Sequence, residues 1–111
     1  MNIMNTTISF NNIITELAAS ASALLEETNI AFEKHRISEE EYSGYVDLQS
    51  NLCDLMTEFN IGEISPNAFL RNLYDITKLF ERLGDTTYTK SMYDLLADTY
   101  IELAEINLCR K

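Results

Sequence analysis

The sequence predicts an all-α protein, an up-down-up-down antiparallel four-helix bundle with short loops, and two observations carry this prediction. Apolar residues recur at steps of three and four, the helical period, and no stretch alternates apolar and polar residues as a half-buried strand does. One proline and three glycines interrupt 111 residues, and Gly62, Pro66 and Gly84 lie where the helical periods break. The length fits one domain, residues 1–111.

The first helix is expected to be the longest, from about Ser9 to about Arg36, after a flexible N-terminus of residues 1–8. Its apolar stripe is Phe10, Ile13, Ile14, Leu17, Ala21, Leu24, Leu25, Thr28, Phe32 and His35. A helix longer than its neighbours overhangs the bundle or bends. An overhang that carries Ile30, Phe32 and Ile37 would offer a dimer surface, so a homodimer is one hypothesis.

The second helix is expected to begin at the N-cap Ser38, with Glu41 as its capping-box partner, and to end at Gly62. Gly44 lies early in this helix and weakens it. Its apolar face is Tyr42, Tyr45, Val46, Leu48, Leu52, Cys53, Leu55, Met56 and Phe59.

Two further helices follow. The third is capped by Ser65, has Pro66 at its first position and ends at Gly84. Its inner face is Phe69, Leu70, Leu73, Ile76, Leu79, Phe80 and Leu83. The fourth is expected to begin near Thr86 or Thr87 and to run to the end, with an inner stripe of Tyr88, Met92, Leu95, Leu96, Thr99, Leu103 and Ile106.

Short connections make consecutive helices antiparallel neighbours, so the second and fourth helices are expected to lie diagonally opposite each other.

Motifs for catalysis and ligand binding are missing from the sequence. Glu-x-x-His, the metal signature of di-metal helical bundles, does not occur, and neither do a calcium loop, a phosphate-binding glycine loop or a Gly-x-Ser-x-Gly elbow. His35 is the single histidine, and its place on the apolar stripe favours a structural role. We therefore expect no enzyme, no catalytic residues, no metal and no cofactor.

The two cysteines, Cys53 and Cys109, belong to no CxxC or Cys/His motif, so free thiols in a reducing cytosol are expected. The sequence shows no secretory signal of the usual kind and no membrane-spanning run, so we expect a soluble cytoplasmic protein. Export by a signal-less route stays open.

The charge balance is strongly acidic, with 18 Asp and Glu against 8 Lys and Arg and a formal charge of -10. This charge disfavours direct binding to nucleic acid or to anionic membranes and favours a partner with a basic surface. Solubility alone is the competing explanation. The acids concentrate on the second helix, at Asp47, Asp54 and Glu58, and on the fourth, at Asp94, Asp98, Glu102 and Glu105.

Spacings of four, four and three residues place the last four acids on one stripe of the fourth helix, where like charges repel. Tyr93 and Tyr100 of the same helix, with Tyr74 of the third, lie off the predicted core stripes, and exposed tyrosines are common in protein interfaces. Packing at the bundle edges is the alternative for each ring. The acids of both helices, Tyr93 and Tyr100 are the candidate partner-binding residues.

Three functions compete on this evidence. The first is a non-catalytic interaction protein that binds and blocks or chaperones a protein partner, such as an inhibitor, an immunity-type protein or a secretion-type chaperone. The second is a nucleic-acid mimic that inhibits a DNA- or RNA-binding enzyme. The third is a small helical ligand carrier or enzyme with a pocket in the bundle core.

Overall fold

In the computed structural model, the backbone is described for residues 3–83 and 87–109 and the side chains for residues 9–83 and 87–108. This part of the chain forms four helices and no strand, as predicted. They are α1 (Ile3–Glu33), α2 (Glu39–Asn60), α3 (Pro66–Leu83) and α4 (Thr87–Cys109). Arg110 and Lys111 lie outside the described residues, as does the predicted terminator Gly84.

The four helices pack in a ring, with α1 beside α2, α2 beside α3, α3 beside α4 and α4 beside α1. The predicted diagonal placement of α2 and α4 is therefore confirmed. The bundle measures 50 × 21 × 19 Å along its principal axes, so all four helices run along the long dimension. Its centre consists of residues that are fully buried: Leu52, Phe69, Leu73, Phe80, Met92, Leu96 and Leu103.

Helix α1 begins six residues before the predicted start. Residues 3–8, which we expected to be a flexible end, are helical. Its C-terminus is also different, since the helix stops at Glu33 and the prediction that His35 lies on the buried stripe is wrong. His35 is exposed and has a φ of 58°, in the left-handed region. The stripe is completed by Ala31, which is 2% exposed.

The ends of α1 and α2 use the same backbone motif. In α1, the amide of His35 donates to the Phe32 carbonyl at 3.0 Å and that of Arg36 donates to the Ala31 carbonyl at 2.8 Å. In α2, Gly62 takes the left-handed position with a φ of 80°, as predicted. This paired pattern satisfies the last carbonyls of a helix and requires one left-handed residue, for which glycine is the usual choice.

Replacing His35 with glycine is expected to raise the free energy of unfolding by about 0.5–1 kcal/mol. The left-handed conformation costs a residue with a Cβ about 1–2 kcal/mol, and glycine avoids this cost. Part of that stabilisation is lost because glycine also increases the conformational entropy of the unfolded chain. Urea unfolding followed by circular dichroism measures the change. The matched variant Gly62→Ala should lower the stability instead, and a loss of stability in His35→Gly would contradict the argument.

Ser38 and Ser65 are the N-caps of α2 and α3, as predicted, whereas the reciprocal capping-box bond from the Ser38 amide to the Glu41 carboxylate is not formed. The Glu41 amide donates to Ser38 Oγ, and the Ala68 amide donates to Ser65 Oγ, each at 3.1 Å. Ser38 Oγ also lies 3.4 Å from a carboxylate oxygen of Glu41. Helix α4 begins at Thr87, within the predicted range.

Two predicted core positions are corrected by the structure, and one core position was missed. Cys53 is exposed and carries a free thiol, and Leu79 is 43% exposed, because each lies at the edge of its stripe. Gln49, absent from the predicted face of α2, is 5% exposed. It follows Tyr45 by one helical turn, so it faces the core with it.

Gly44 does more than weaken α2. A Cβ at this position would lie 2.4 Å from a methyl group of Leu83 at the end of α3. Because Gly44 has no side chain, Leu83 can pack against α2. Helices α2 and α3 therefore approach each other closely at this end of the bundle.

The face with Ile30, Phe32 and Ile37, which we considered for dimerisation, is partly covered within the chain. The ring of Phe32 stacks on Tyr42 at a centroid distance of 4.2 Å, and the Tyr42 hydroxyl donates to Asn29 Oδ1 at 2.6 Å. Phe32 and Ile37 are half-buried, and only Ile30 is exposed. A dimer through this face stays a prediction, with less free apolar surface than we expected.

Candidate protein-interaction surface

The α4 acidic row comprises Asp94, Asp98, Glu102 and Glu105, and all four side chains are exposed. The opposite face of α4 is anchored by Met92, Leu96 and Leu103, which have no exposed surface. A helix with one face in the core turns the other to solvent, so the row points away from the bundle.

The α2 acidic row comprises Asp47, Asp54 and Glu58. Asp47 and Asp54 are exposed and Glu58 is half-buried. Because α2 and α4 lie diagonally in the ring, the two rows face opposite sides of the bundle. The structure thus does not bring the predicted acidic residues together on one surface.

No cation of the described residues forms an ion pair with either row. Among the described residues, the single ion pair joins Lys78 and Glu81, both on α3, at 3.4 Å. Each like-charge pair at i,i+4 costs about 0.2–0.5 kcal/mol, so the α4 acidic row carries a small, uncompensated repulsion. Such a row attracts cationic groups from outside the chain.

Tyr93 and Tyr100 are half-buried and pack against the core, so they are not fully exposed contact residues. At about 100° per residue they lie on the flank of α4 that faces α3, well round the helix from the acidic row. The ring of Tyr100 meets that of Tyr74 across the helix boundary at a centroid distance of 5.8 Å. Tyr74 is 48% exposed.

These two rings belong to an open groove of about 560 Å³ between α3 and α4, which we call the tyrosine groove. Asn107 Nδ2 donates to Asn67 Oδ1 at 2.5 Å and ties the two helices together at its end. The lining residues are Asn67, Leu70, Arg71, Tyr74, Tyr100, Ala104, Asn107 and Leu108.

The α3 side of this surface carries two cations, of which Arg71 is without an ion pair among the described residues and Lys78 is paired with Glu81. Arg71 lines the groove, and the Lys78 ammonium lies 5.6 Å from the centre of the Tyr74 ring. The hydrogen bond to Glu81 raises the pKa of Lys78, and the Glu81 charge adds to the effect. Lys78 is therefore held by Glu81 as an ion pair at the surface.

Sequence reasoning identified Tyr74, Tyr93 and Tyr100 as off-stripe residues but missed the groove itself. Arg71, Ala104 and Leu108 carry no motif, and only the packing of α3 against α4 brings them together. Their common signal in the sequence is weak: each lies one or two helical turns from a flanking tyrosine.

No group of three or more His, Cys, Asp or Glu side chains in the described ranges is arranged to hold a metal ion. None of the helices, within the residues that the structure describes, is both long and apolar enough to cross a membrane.

Comparisons of the chain with family models, with curated proteins and with solved structures gave no match. The geometry of its own residues therefore carries the functional argument.

Proposed function

We propose that this protein is a non-catalytic interaction module that binds a protein partner with a basic surface, and thereby blocks or chaperones it. The observation that carries the proposal is the α4 acidic row: four carboxylates exposed on one stripe, with no cation of the described residues paired to them. Unpaired carboxylates steer and hold a cationic surface.

The α4 acidic row has better support as a contact surface than the α2 acidic row. It is continuous over three turns, and the exposed side chains of Ile101 and Leu108 adjoin it. Interfaces that hold a partner combine an apolar centre with a polar rim. The α2 acidic row has fewer exposed carboxylates, and Glu58 is half-buried.

A nucleic-acid mimic receives less support. A nucleic-acid duplex presents two continuous rows of charge side by side. The two acidic rows of this protein lie on helices that are diagonal in the ring, so they face opposite sides of the bundle. Competition by DNA for the partner would favour the mimic over our proposal.

A ligand carrier also receives less support. Large apolar side chains with exposed fractions below 2% fill the centre of the bundle, among them Leu52, Leu73 and Leu96. A carrier of this fold would need room between its helices.

We propose a cytoplasmic location, which suits the exposed free thiol of Cys53.

The test is affinity capture from cell extract with charge-reversed variants. A variant in which Asp94, Asp98, Glu102 and Glu105 are changed to Lys is expected to lose the partner that the wild-type protein retains. The matched control changes Asp47, Asp54 and Glu58 to Lys and is expected to retain it. Capture is quantified by mass spectrometry, and circular dichroism checks that each variant is folded.

If the α4 variant retains the partner as well as the wild-type protein does, the α4 acidic row serves solubility and the proposal is wrong. Loss of the partner in the control variant alone would move the contact surface to α2.

A further inference from the structure

We infer that the tyrosine groove seats one amphipathic helix of the partner, with the helix's basic edge against α4 and its acidic edge against α3. This inference rests on the proposed function and adds to it the shape and the charge pattern of the bound segment.

Much of the exposed apolar surface of the bundle lies in or beside this groove. Among the described residues, six large apolar or aromatic side chains are exposed, and three of them, Tyr74, Ile101 and Leu108, lie in or beside this groove. Leu70, Tyr100 and Ala104 complete its floor and walls. A groove of this kind between two helices accepts the apolar face of a third, as in helix-in-groove recognition.

The two edges of the groove differ in the sign of their unpaired charges. On the α3 side, Arg71 lines the groove with no ion pair among the described residues, whereas Lys78, which lies over Tyr74, is paired with Glu81. On the α4 side, the helical period places Asp94, Asp98 and Glu105 beyond Leu108 and Ile101. A complementary helix therefore carries carboxylates along one flank and ammonium or guanidinium groups along the other.

The length of the groove also fits a helix. The lining residues span positions 67–74 of α3 and 100–108 of α4, and the cation at Lys78 extends the α3 edge. At about 1.5 Å per residue these segments correspond to roughly 12–18 Å, or about three turns of a partner helix.

A second copy of this chain fits the groove less well. It would present the same concave surface instead of a ridge, and two molecules that each carry a charge of -10 repel each other. A foreign helix with flanks of opposite sign meets neither obstacle.

The probes are synthetic helical peptides of about 15 residues that share one Leu/Phe stripe. One has Lys on one flank and Glu on the other; the comparison peptides have Lys on both flanks, Glu on both flanks, or Ser in place of the stripe. Titrations followed by amide chemical shifts of the full-length protein give both the affinity and the site. The mixed peptide is expected to bind at least tenfold more tightly than each comparison peptide and to shift residues of the tyrosine groove.

Variants of the protein sharpen the test. Tyr74→Ala is expected to weaken the mixed peptide about 30-fold, as a central aromatic contact does. Arg71→Glu should make the peptide with Lys on both flanks the tighter ligand. The matched control is Ile30→Ala, which removes a side chain of similar exposure on α1 and should leave binding unchanged.

If the peptide with Lys on both flanks binds as well as the mixed one and Tyr74→Ala has no effect, the inference is wrong, while the basic partner of the proposed function stands. A concentration-dependent dimer that shifts the groove residues without peptide would also overturn it, in favour of a second copy. If no peptide binds and the α4 charge-reversed variant still retains the captured partner, both proposals fail.

Discussion

Replacing Phe69 with alanine is expected to lower the free energy of unfolding by about 3–5 kcal/mol, the largest effect of any single substitution considered. Phe69 has no exposed surface. Its ring lies 6.0 Å from that of Phe10 and 5.2 Å from that of Phe59, and Phe10 and Phe59 are 5.1 Å apart. One side chain of α3 therefore joins α1 and α2 at this end of the bundle.

Two terms add in this substitution. The first is the loss of the free energy gained by burying the phenyl group, together with the cost of the cavity that its removal leaves. The second is the loss of two ring–ring contacts, each of which is worth about 0.5–1.5 kcal/mol beyond the buried area. Since domains of this size have total stabilities of about 5–15 kcal/mol, the variant should lose at least about a fifth of its stability, and its urea midpoint should fall in proportion.

Urea unfolding of Phe69→Ala against the wild-type protein measures the loss. Leu79→Ala is the matched control, because Leu79 belongs to the same helix but is 43% exposed, and its change should stay near about 0.5 kcal/mol. A loss below about 1 kcal/mol in Phe69→Ala would show that the contacts of Phe69 with Phe10 and Phe59 do not stabilise the packing of α3 against α1 and α2.

Replacing Gln49 with leucine is expected to raise the free energy of unfolding by about 1–2 kcal/mol. Gln49 is 5% exposed, and its Oε1 atom has no hydrogen-bond partner among the described residues. An unsatisfied buried acceptor costs about 1–3 kcal/mol, and leucine removes this cost, adds apolar burial and keeps the helix propensity.

The surroundings of Gln49 support this expectation. One turn away, the Tyr45 hydroxyl is likewise buried and without a partner among the described residues. Burial raises the pKa of Tyr45. The nearby Thr28 hydroxyl donates to the Leu24 carbonyl at 2.7 Å and not to Tyr45. This part of the core therefore holds polar atoms in an environment that disfavours charge.

Thermal and urea unfolding of Gln49→Leu and Gln49→Met give the change. The control Asn51→Met alters an exposed position of the same helix and should shift the stability by less than about 0.5 kcal/mol. Destabilisation by both Gln49 variants would mean that the amide makes favourable interactions in the folded protein.

Local signals in the sequence predicted the helices well because they act within a few residues. Ser38, Ser65 and Gly62 define helix ends through contacts with their own backbone neighbours. The end of α1 was missed because its left-handed residue is His35, and a histidine in that position carries no glycine-like signal. Gln49 was missed because a polar side chain is not expected at a core position.

Part of the candidate site was also predictable from spacing along a single helix. The helical period alone determined that Asp94, Asp98, Glu102 and Glu105 share one stripe and that the apolar residues of the same segment face inward. It also marked Tyr74 and Tyr100 as unusual, since neither fits the stripe of its own helix.

By itself, then, the sequence determined four amphipathic helices, their order and their charged faces, since each depends on spacing along one helix. Only the tertiary structure decided that Tyr74 meets Tyr100, that Arg71 lies opposite Ala104 and Leu108, and that Leu83 packs over Gly44. Those contacts join different helices, and their geometry depends on the rotation and height at which each helix settles against its neighbours.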